Sequence, residues 1–390
     1  MRANISSINY DDGVRRFASH THGVSTNLNL RLNIQSVDVR AVAAPMKRHL
    51  ATRTGALTVA PLLLIDLQTD GGITGRSYLF GITRQSLKPI AALVEAMAEV
   101  VKGDPVRPFE IEVKLRKRYT LLGVHNIVLF AMSGIDMAAW DALSQAMGQP
   151  LVRLLGGAPR AVRAYNSKGL GIMPLKALAK EAEELVAEGF GAVKLRLGRT
   201  GAADDLAALR AVKKAIGPDI ALMVDFNQGL TVAQALERGR MIDAEGGVHW
   251  IEEPVRADDF AGNSRIAREI ATPIQIGENF MGPEQMAQAL AAGACDYVMP
   301  DAQRIGGITG WMRAAALAQA AGMEMSSHLF PEVSSHLLAV TPTCHWLEYV
   351  DWADSILEQP AQLKDGHVLI PERPGIGLRW DEKAVKRYQA

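Results

Sequence analysis

From about residue 161 to 354 the sequence alternates between short apolar segments and longer amphipathic ones, and this alternation limits the fold more than any other feature. The apolar segments predict eight strands: VRAYNS, GAVKLRL, IALMVDFN, VHWIEEP, PIQIGEN, CDYVMPD, MEMSSHL and HWLEYVD. The segments between them, such as LKALAKEAEELVAEGF, carry apolar residues at helical spacing. Strands joined through helices pair in parallel, so eight such units predict a (β/α)8 barrel of the TIM type. An open doubly wound sheet is the alternative, although AYNSKGLG is a poor match to the glycine-rich phosphate loop that such a sheet requires.

Residues 31–160 follow a different pattern, in which strands come first and long helices follow. The run APLLLIDLQTDGGITGRSYLF predicts a hairpin that turns at residues 70–72, and SLKPIAALVEAMAEVVKG and NIVLFAMSGIDMAAWDALSQAMG predict helices. This order is typical of an α+β domain. The sequence also predicts a polar N-terminal extension over 1–30, the barrel over 161–354, and a C-terminal segment over 355–390 that returns to the first domain.

Composition narrows the range of partners. The 42 basic and 42 acidic residues give a net charge of zero. A neutral chain has no global field that would hold nucleic acid or an anionic membrane, so we expect neither partner. The first residues lack the apolar stretch of a secretory signal, and no apolar run reaches membrane length. We therefore expect a cytoplasmic enzyme that acts on a small molecule.

Three carboxylates follow three consecutive predicted strands. Asp225, Glu252 and Glu278 each come directly after an apolar segment, and catalytic groups of a barrel collect at the carboxyl ends of its strands. Taken singly, each is most simply explained as a surface carboxylate paired with a basic neighbour. Three that converge on one point would repel one another unless a cation lay between them, and hard oxygen ligands suit Mg²⁺. The sequence therefore predicts a magnesium site.

The other strand ends carry groups suited to proton transfer. Lys194 and Arg196 lie two residues apart on one strand and so point to the same face, although an isolated pair of this kind is more often exposed beyond the strand end. Asp301 and His328 end neighbouring strands, and a carboxylate bonded to one ring nitrogen orients an imidazole and raises its basicity. Glu348 lies on the eighth strand.

The motifs AVKLRLG, MVDFNQ, WIEEP, IGENF, MPDAQRIGGITGW, MSSHLF and HWLE, in this order, resemble the mandelate racemase family of the enolase superfamily. The likeness runs from about residue 33 to the C-terminus, and it implies that residues 31–160 form a capping domain with a lid loop at about 45–56. It implies roles for the strand-end residues: a Mg²⁺ site at the three carboxylates, substrate carboxylate binding by Lys194, an acid–base dyad of Asp301 and His328, and a protonated Glu348 that bonds the enediolate.

The resemblance also implies substrate contacts outside that set. Ser167 and Asn227 match polar contacts to the substrate, and Tyr78 lies in the matching part of the capping domain. The lid reads MKRHLATRTG, and its basic residues, with Arg53 among them, suggest a polar or anionic distal group on the substrate. We take Lys47, Arg48 and His49 as candidate contacts to that group. The alternative is that these lid side chains simply face water.

One departure from the family pattern bears on the reaction. Racemases of this family have a second lysine where this chain has Arg196, and that lysine is the base for the opposite face of the substrate. Arginine is effectively never deprotonated and makes a poor base.

Three functions remain open at this point. The favoured one is dehydration of an acid sugar to a 2-keto-3-deoxy acid, and the alternative is racemisation or epimerisation of a 2-hydroxy acid. The third is a binding protein that has kept the barrel and lost the chemistry, which the retention of all three carboxylates with Asp301 and His328 argues against. Analogy with the family implies a homo-oligomer, often an octamer.

Overall fold

The computed structural model describes residues 32–390, so the predicted extension over 1–30 lies outside the described residues. The chain begins with an antiparallel sheet whose three strands are paired in chain order. The strands are β1 (Ile34–Ala51), β2 (Ala56–Thr69) and β3 (Thr74–Phe80). The turn between β2 and β3 falls at 70–73, where the sequence predicts it, and it contains Gly72 with a positive φ of 73°.

Four helices follow this sheet: α1 (Arg84–Val101), α2 (Pro108–Tyr119), α3 (Ile127–Ala146) and α4 (Leu151–Leu154). Within residues 32–390, α3 alone is long and apolar enough to cross a membrane, and 89% of its most apolar stretch is buried inside the protein. A helix that is apolar on all sides fits the interior of a domain. It packs against β3 and α1 and forms the centre of this layer.

The second part of the chain is a (β/α)8 barrel, as the alternation of apolar segments predicts. Its eight strands are β4 (Ala161–Asn166), β5 (Ala192–Arg196), β6 (Ala221–Asp225), β7 (Ile251–Glu252), β8 (Ile274–Ile276), β9 (Tyr297–Val298), β10 (Glu324–Met325) and β11 (Leu347–Tyr349). The helices between them are α5 (Leu175–Ala187), α6 (Ala202–Ile216), α7 (Val232–Glu245), α8 (Phe260–Glu269), α9 (Pro283–Ala291), α10 (Gly307–Ala321) and α11 (Pro331–Ala339).

The barrel is closed by parallel pairing between its first and last strands. Strands β4 to β10 pair in chain order, and β11 pairs with β4. The gap between β10 and β11 is bridged at Met325 and Cys344. All the strand ends therefore meet at one rim, which is why side chains far apart in sequence form one site.

The C-terminal segment contains β12 (Gln362–Lys364), β13 (His367–Leu369) and a last helix, α12 (Glu382–Arg387). Strand β13 pairs antiparallel with β4 of the barrel. Beyond it, the indole of Trp380 donates to Asp66 of β2 at 2.8 Å, and the amide of Ala390 donates to the carbonyl of Ala41 at 2.9 Å. The segment thus contacts both the barrel and the first sheet.

The lid is a β-hairpin rather than a loop. Strand β1 continues through a register shift between Pro45 and Leu50 and pairs again with β2 up to Ala51 and Ala56. The amide of Ile172, which follows β4, donates to the carbonyl of Ala51 at 2.7 Å. The lid is thereby fastened to a barrel loop and covers the rim of the barrel.

Candidate active site

The three predicted carboxylates come together at the barrel rim. Asp225 and Glu252 end β6 and β7 and are direct register partners, and Glu278 lies two residues beyond the end of β8. One ligand oxygen from each lies within 4.8 Å of the others. The first two carboxylates are buried, whereas Glu278 is 13% exposed.

The electrostatics of this cluster fit a divalent cation. Burial raises the pKa of Glu252 to about 8; Lys194 opposes that shift, and the neighbouring carboxylates add to it. Burial and the charge of Glu278 also raise the pKa of the adjacent Glu253 well above its usual value. Several buried carboxylates beside one lysine carry excess negative charge, and an all-oxygen ligand set is the kind that Mg²⁺ prefers.

Lys194 lies among the carboxylates. Its Nζ contacts Glu252, lies 2.8 Å from Glu348 and 3.5 Å from Asp225, and is almost fully buried. Burial alone would lower the pKa of this amine, but Glu252 and Glu348 outweigh it and raise the pKa well above the usual value. The lysine is therefore a fixed positive charge.

Basic side chains surround the carboxyl group of Glu348. Burial favours its neutral form, but Lys194, His328 and Arg196 outweigh burial and hold the pKa of this carboxyl well below its usual range. A lowered pKa favours the carboxylate form, whereas the family resemblance implies a protonated acid here. The physical reason is the short distance to Lys194, together with hydrogen bonds from Ser167 Oγ at 2.6 Å and from the Leu329 amide at 3.0 Å.

His328 and Asp301 form a hydrogen-bonded pair. His328 Nδ1 lies 2.7 Å from Asp301 Oδ2, while Asp301 Oδ1 accepts from the amides of Gln303 and Arg304. The other ring nitrogen, Nε2, lies 3.5 Å from Glu278. Asp301 therefore fixes the ring through Nδ1, and Nε2 faces the carboxylate cluster.

The charge on His328 depends on that cluster. Burial would lower the pKa of the imidazole, but Glu278, Glu348 and Asp301 raise it to about 9. With this pKa the ring already holds a proton at neutral pH, so it is free to take one from a substrate only when other positive charge offsets the field of these carboxylates.

Arg196 holds the loop that follows β4. Its guanidinium donates to the carbonyls of Ser167 at 3.0 Å and Gly169 at 2.8 Å, and to Ser167 Oγ at 2.7 Å. The side chain is 5% exposed, and it lies 4.0 Å from Glu348. Most of the N–H groups of the guanidinium therefore donate to oxygens of the protein itself.

Asn227 and Ser167 are both at the site but already have protein partners. Asn227 adopts a positive φ of 46° and donates two hydrogen bonds to the carboxylate of Asp225. Its side-chain amide donates to Oδ2 at 2.9 Å, and its backbone amide donates to Oδ1 at 2.7 Å. The Oδ1 atom of Asn227 is buried and has no hydrogen-bond partner within residues 32–390. Ser167 Oγ lies between Glu348 and Arg196.

The other four candidates have neighbours elsewhere within residues 32–390, and their roles as substrate contacts stay predictions. Tyr78 is buried and donates to Glu332 at 2.6 Å. Lys47 lies 3.3 Å from Asp351, and Arg48 donates to Glu184 on α5 at 2.9 Å. His49 lines a shallow outer pocket together with residues of α5, among them Ala177 and Lys180.

The structure gives a position for Arg53 of the basic lid and points to two further residues, Trp250 and Gln275, that the sequence does not single out. Arg53, in the lid turn, packs so closely on Gly198 and Gly229 that a Cβ at either glycine would crowd it. Trp250 and Gln275 donate hydrogen bonds to Glu252. Trp250 could have been found from its position two residues before Glu252 in the segment VHWIEEP, because an extended chain places side chains two residues apart on one face.

The fold and the site together define a class: capped TIM-type barrel enzymes in which acidic strand ends form a possible metal site beside a histidine. Residues 34–156 match the family described as the mandelate racemase / muconate lactonizing enzyme N-terminal domain, and residues 177–384 match the enolase C-terminal domain-like family. The chain therefore belongs to the mandelate racemase / muconate lactonizing enzyme family of the enolase superfamily, as its motifs predict.

Three similar proteins illustrate the range of that family. An L-talarate/galactarate dehydratase of Salmonella typhimurium is 32% identical over 87% of this chain and 85% of its own length. The crystal structure of an enolase from the alphaproteobacterium BAL199, with bound Mg, has a TM-score of 0.90 and 46% identity and covers 92% of this chain and all of its own. An enolase from Bradyrhizobium, in complex with magnesium and mandelic acid, has a TM-score of 0.89 and 43% identity over 92% of this chain and 99% of its own.

Proposed function

We propose that this protein is a Mg²⁺-dependent acid-sugar dehydratase that converts a 2-hydroxy acid with a 3-hydroxyl group into a 2-keto-3-deoxy acid. The observation that carries the proposal is the asymmetry of the site. The His328–Asp301 pair supplies one proton-transferring group, while Arg196, at the position of the family's second base, is bound to the loop after β4. Dehydration needs only one base.

We assign the metal to Asp225, Glu252 and Glu278. When bound there, Mg²⁺ supplies positive charge that stabilises the negative charge developing on the substrate carboxylate. Lys194 binds and orients that carboxylate with its fixed positive charge. Its amine lies 2.8 Å from Glu348, and this preference for anionic oxygens supports the assignment.

In the proposed reaction, Nε2 of His328 takes the proton from C2, and the electron pair of the C–H bond moves into the enolate of the carboxylate. The enolate then collapses, the C3–O bond breaks, and the leaving hydroxyl receives the same proton from His328 and departs as water. The resulting enol tautomerises to the 2-keto-3-deoxy acid. Asp301 holds the ring in place throughout.

We further propose that the substrate carries a second anionic group at its distal end. Among the lid cations, Lys47 and Arg48 already lie beside carboxylates, whereas Arg53 is exposed and has no ion-pair partner within residues 32–390. Arg53 also packs on Gly198 and Gly229, which follow β5 and β6 at the rim. The talarate/galactarate dehydratase named above acts on diacids of this kind, which supports an aldaric acid.

A specific observation favours a second candidate, racemisation or epimerisation of a 2-hydroxy acid. The similar Bradyrhizobium structure contains mandelic acid, which has no 3-hydroxyl group to lose. This reaction requires a base on each face of the substrate. The two candidates are separated by a screen of mono- and diacid sugars with Mg²⁺ for 2-keto product, run beside mandelate.

We also propose that the enzyme is a cytoplasmic homo-oligomer, an octamer by analogy with its family, without nucleic-acid or membrane partners. The neutral net charge supports the last point. Light scattering on the purified full chain measures the oligomeric state directly.

A further inference from the structure

One carboxylate oxygen of Glu252 is held from inside the barrel by two uncharged donors. Trp250 Nε1 lies 3.1 Å from Glu252 Oε2, and Gln275 Nε2 lies 3.3 Å from the same oxygen. All three residues are at most 1% exposed. The other oxygen, Oε1, is the one that contacts Lys194.

The barrel fixes both donors in place. Trp250 immediately precedes β7, two residues before Glu252, and its indole N–H points to the carboxylate of Glu252. Its ring meets Tyr165 edge-on at 5.5 Å between centroids. Gln275 is the register partner of Glu252 on β8. Ser326 Oγ donates to Gln275 Oε1 at 3.2 Å, which turns the NH₂ group of the amide toward Glu252.

Uncharged donors suit a metal ligand better than cations do. A positively charged partner on Oε2 would reduce the negative charge that Glu252 offers to a metal ion. An indole N–H and an amide N–H satisfy the buried oxygen and restrict the rotation of the carboxylate, but they leave its charge in place. Without them, Glu252 would be a buried carboxylate free to turn toward Lys194 with either oxygen.

We infer that Trp250 and Gln275 are positioning residues of the metal centre, which orient Glu252 for Mg²⁺ binding. The inference rests on the assignment of Glu252 as a ligand under the proposed function. It goes beyond that assignment because it adds two residues that act through Glu252 and touch neither metal nor substrate.

The test is Mg²⁺ binding to the full chain without substrate, measured by isothermal titration calorimetry. The variants are Trp250→Phe, which removes the indole N–H, and Gln275→Met, which removes the amide and keeps the side-chain length. The matched control is Trp346→Phe. Trp346 also meets Tyr165 edge-on, at 6.5 Å, but its N–H points to His249 Nε2 rather than to a carboxylate.

We expect the Kd for Mg²⁺ to rise by about tenfold in each of the two variants and by less than about twofold in the control. Thermal unfolding of each variant checks the fold, and if Trp250→Phe does not fold, Gln275→Met decides alone. An unchanged Kd in the folded variants overturns the inference, and so does an equal rise in all three, because packing would then explain it. Failure of the unaltered chain to bind Mg²⁺ would instead overturn the proposed function.

Discussion

Arg196 shows how one residue restricts the chemistry of the whole site. Its guanidinium donates to Ser167 and Gly169 and so fixes the loop after β4. A guanidinium at pH 7 has almost no neutral form that could accept a proton. Lys194, the other candidate on that strand, contacts Glu252 and Glu348. The remaining proton acceptor is His328, so substrates of one configuration at C2 should react.

The first prediction concerns that histidine. Replacing His328 by Asn should stop exchange of the substrate α proton with D2O, because His328 is the proposed base. Asp301→Asn should slow exchange less completely, since the ring remains and only its orienting partner is lost. NMR of the recovered substrate measures the exchange. His125→Asn, at an exposed histidine, is the control and should behave as the unaltered enzyme. Undiminished exchange in His328→Asn would show that another group is the base.

The second prediction concerns the metal ligands. Glu252→Gln keeps the shape of the side chain but removes the charge, and we expect a loss of activity of at least about a hundredfold, on the order of 3 kcal/mol in the barrier. Chelation should abolish the activity of the unaltered enzyme, and added Mg²⁺ should restore it. Normal turnover by chelator-treated enzyme would contradict the metal assignment.

At the level of elements, strand ends could be predicted from the sequence and the lid could not. Asp225 and Glu252 were found because each ends its own strand, and the barrel then brings the strand ends together. The lid residues Arg48 and Arg53 look alike in sequence, but only distant partners decide their roles. Arg48 turns to Glu184 on α5, more than a hundred residues away, and Arg53 packs on Gly198 and Gly229. No local pattern encodes that difference.

The third prediction follows from the lid. Arg53→Ala should lower kcat/KM for an aldaric acid by about 10- to 100-fold, the value of one hydrogen bond between charged groups. It should leave the matching aldonic acid, which lacks the distal carboxylate, nearly unaffected. Steady-state assays on the two substrates make the comparison. Lys47→Ala is the control because Lys47 lies beside Asp351. An equal loss on both substrates would show that Arg53 acts on the lid and not on the substrate.

On the scale of the whole molecule, Asp136 joins the capping domain to the barrel. It lies on α3 and accepts hydrogen bonds from the amide of Thr309 at 3.0 Å and from its hydroxyl, in the first turn of α10. Gly307, with a positive φ of 71°, leaves room for this carboxyl, since a Cβ there would collide with it. The sequence does not predict this contact, because 173 residues separate its partners.

The fourth prediction is a pH dependence of stability from that contact. Burial raises the pKa of Asp136 to about 7, although bonds from Thr309 oppose the shift. The folded protein then binds more protons here than the unfolded chain between about pH 4 and pH 7, so this group makes stability fall as pH rises. The slope approaches about 1.4 kcal/mol per pH unit. We expect the free energy of unfolding, measured with urea across this range, to change less with pH in Asp136→Asn than in the unaltered protein. Parallel pH profiles of the two proteins would refute the assignment.

The proposed reaction depends on one base, His328, whose proton abstraction leads to loss of the 3-hydroxyl group. The most direct measurement incubates the enzyme and Mg²⁺ with a panel of acid sugars and with each mandelate enantiomer, and follows 2-keto acid and optical rotation together. We predict 2-keto product from at least one acid sugar, no rotation change with either mandelate, and loss of product in His328→Asn. Rapid loss of mandelate rotation, with no keto product from any acid sugar, would contradict the account.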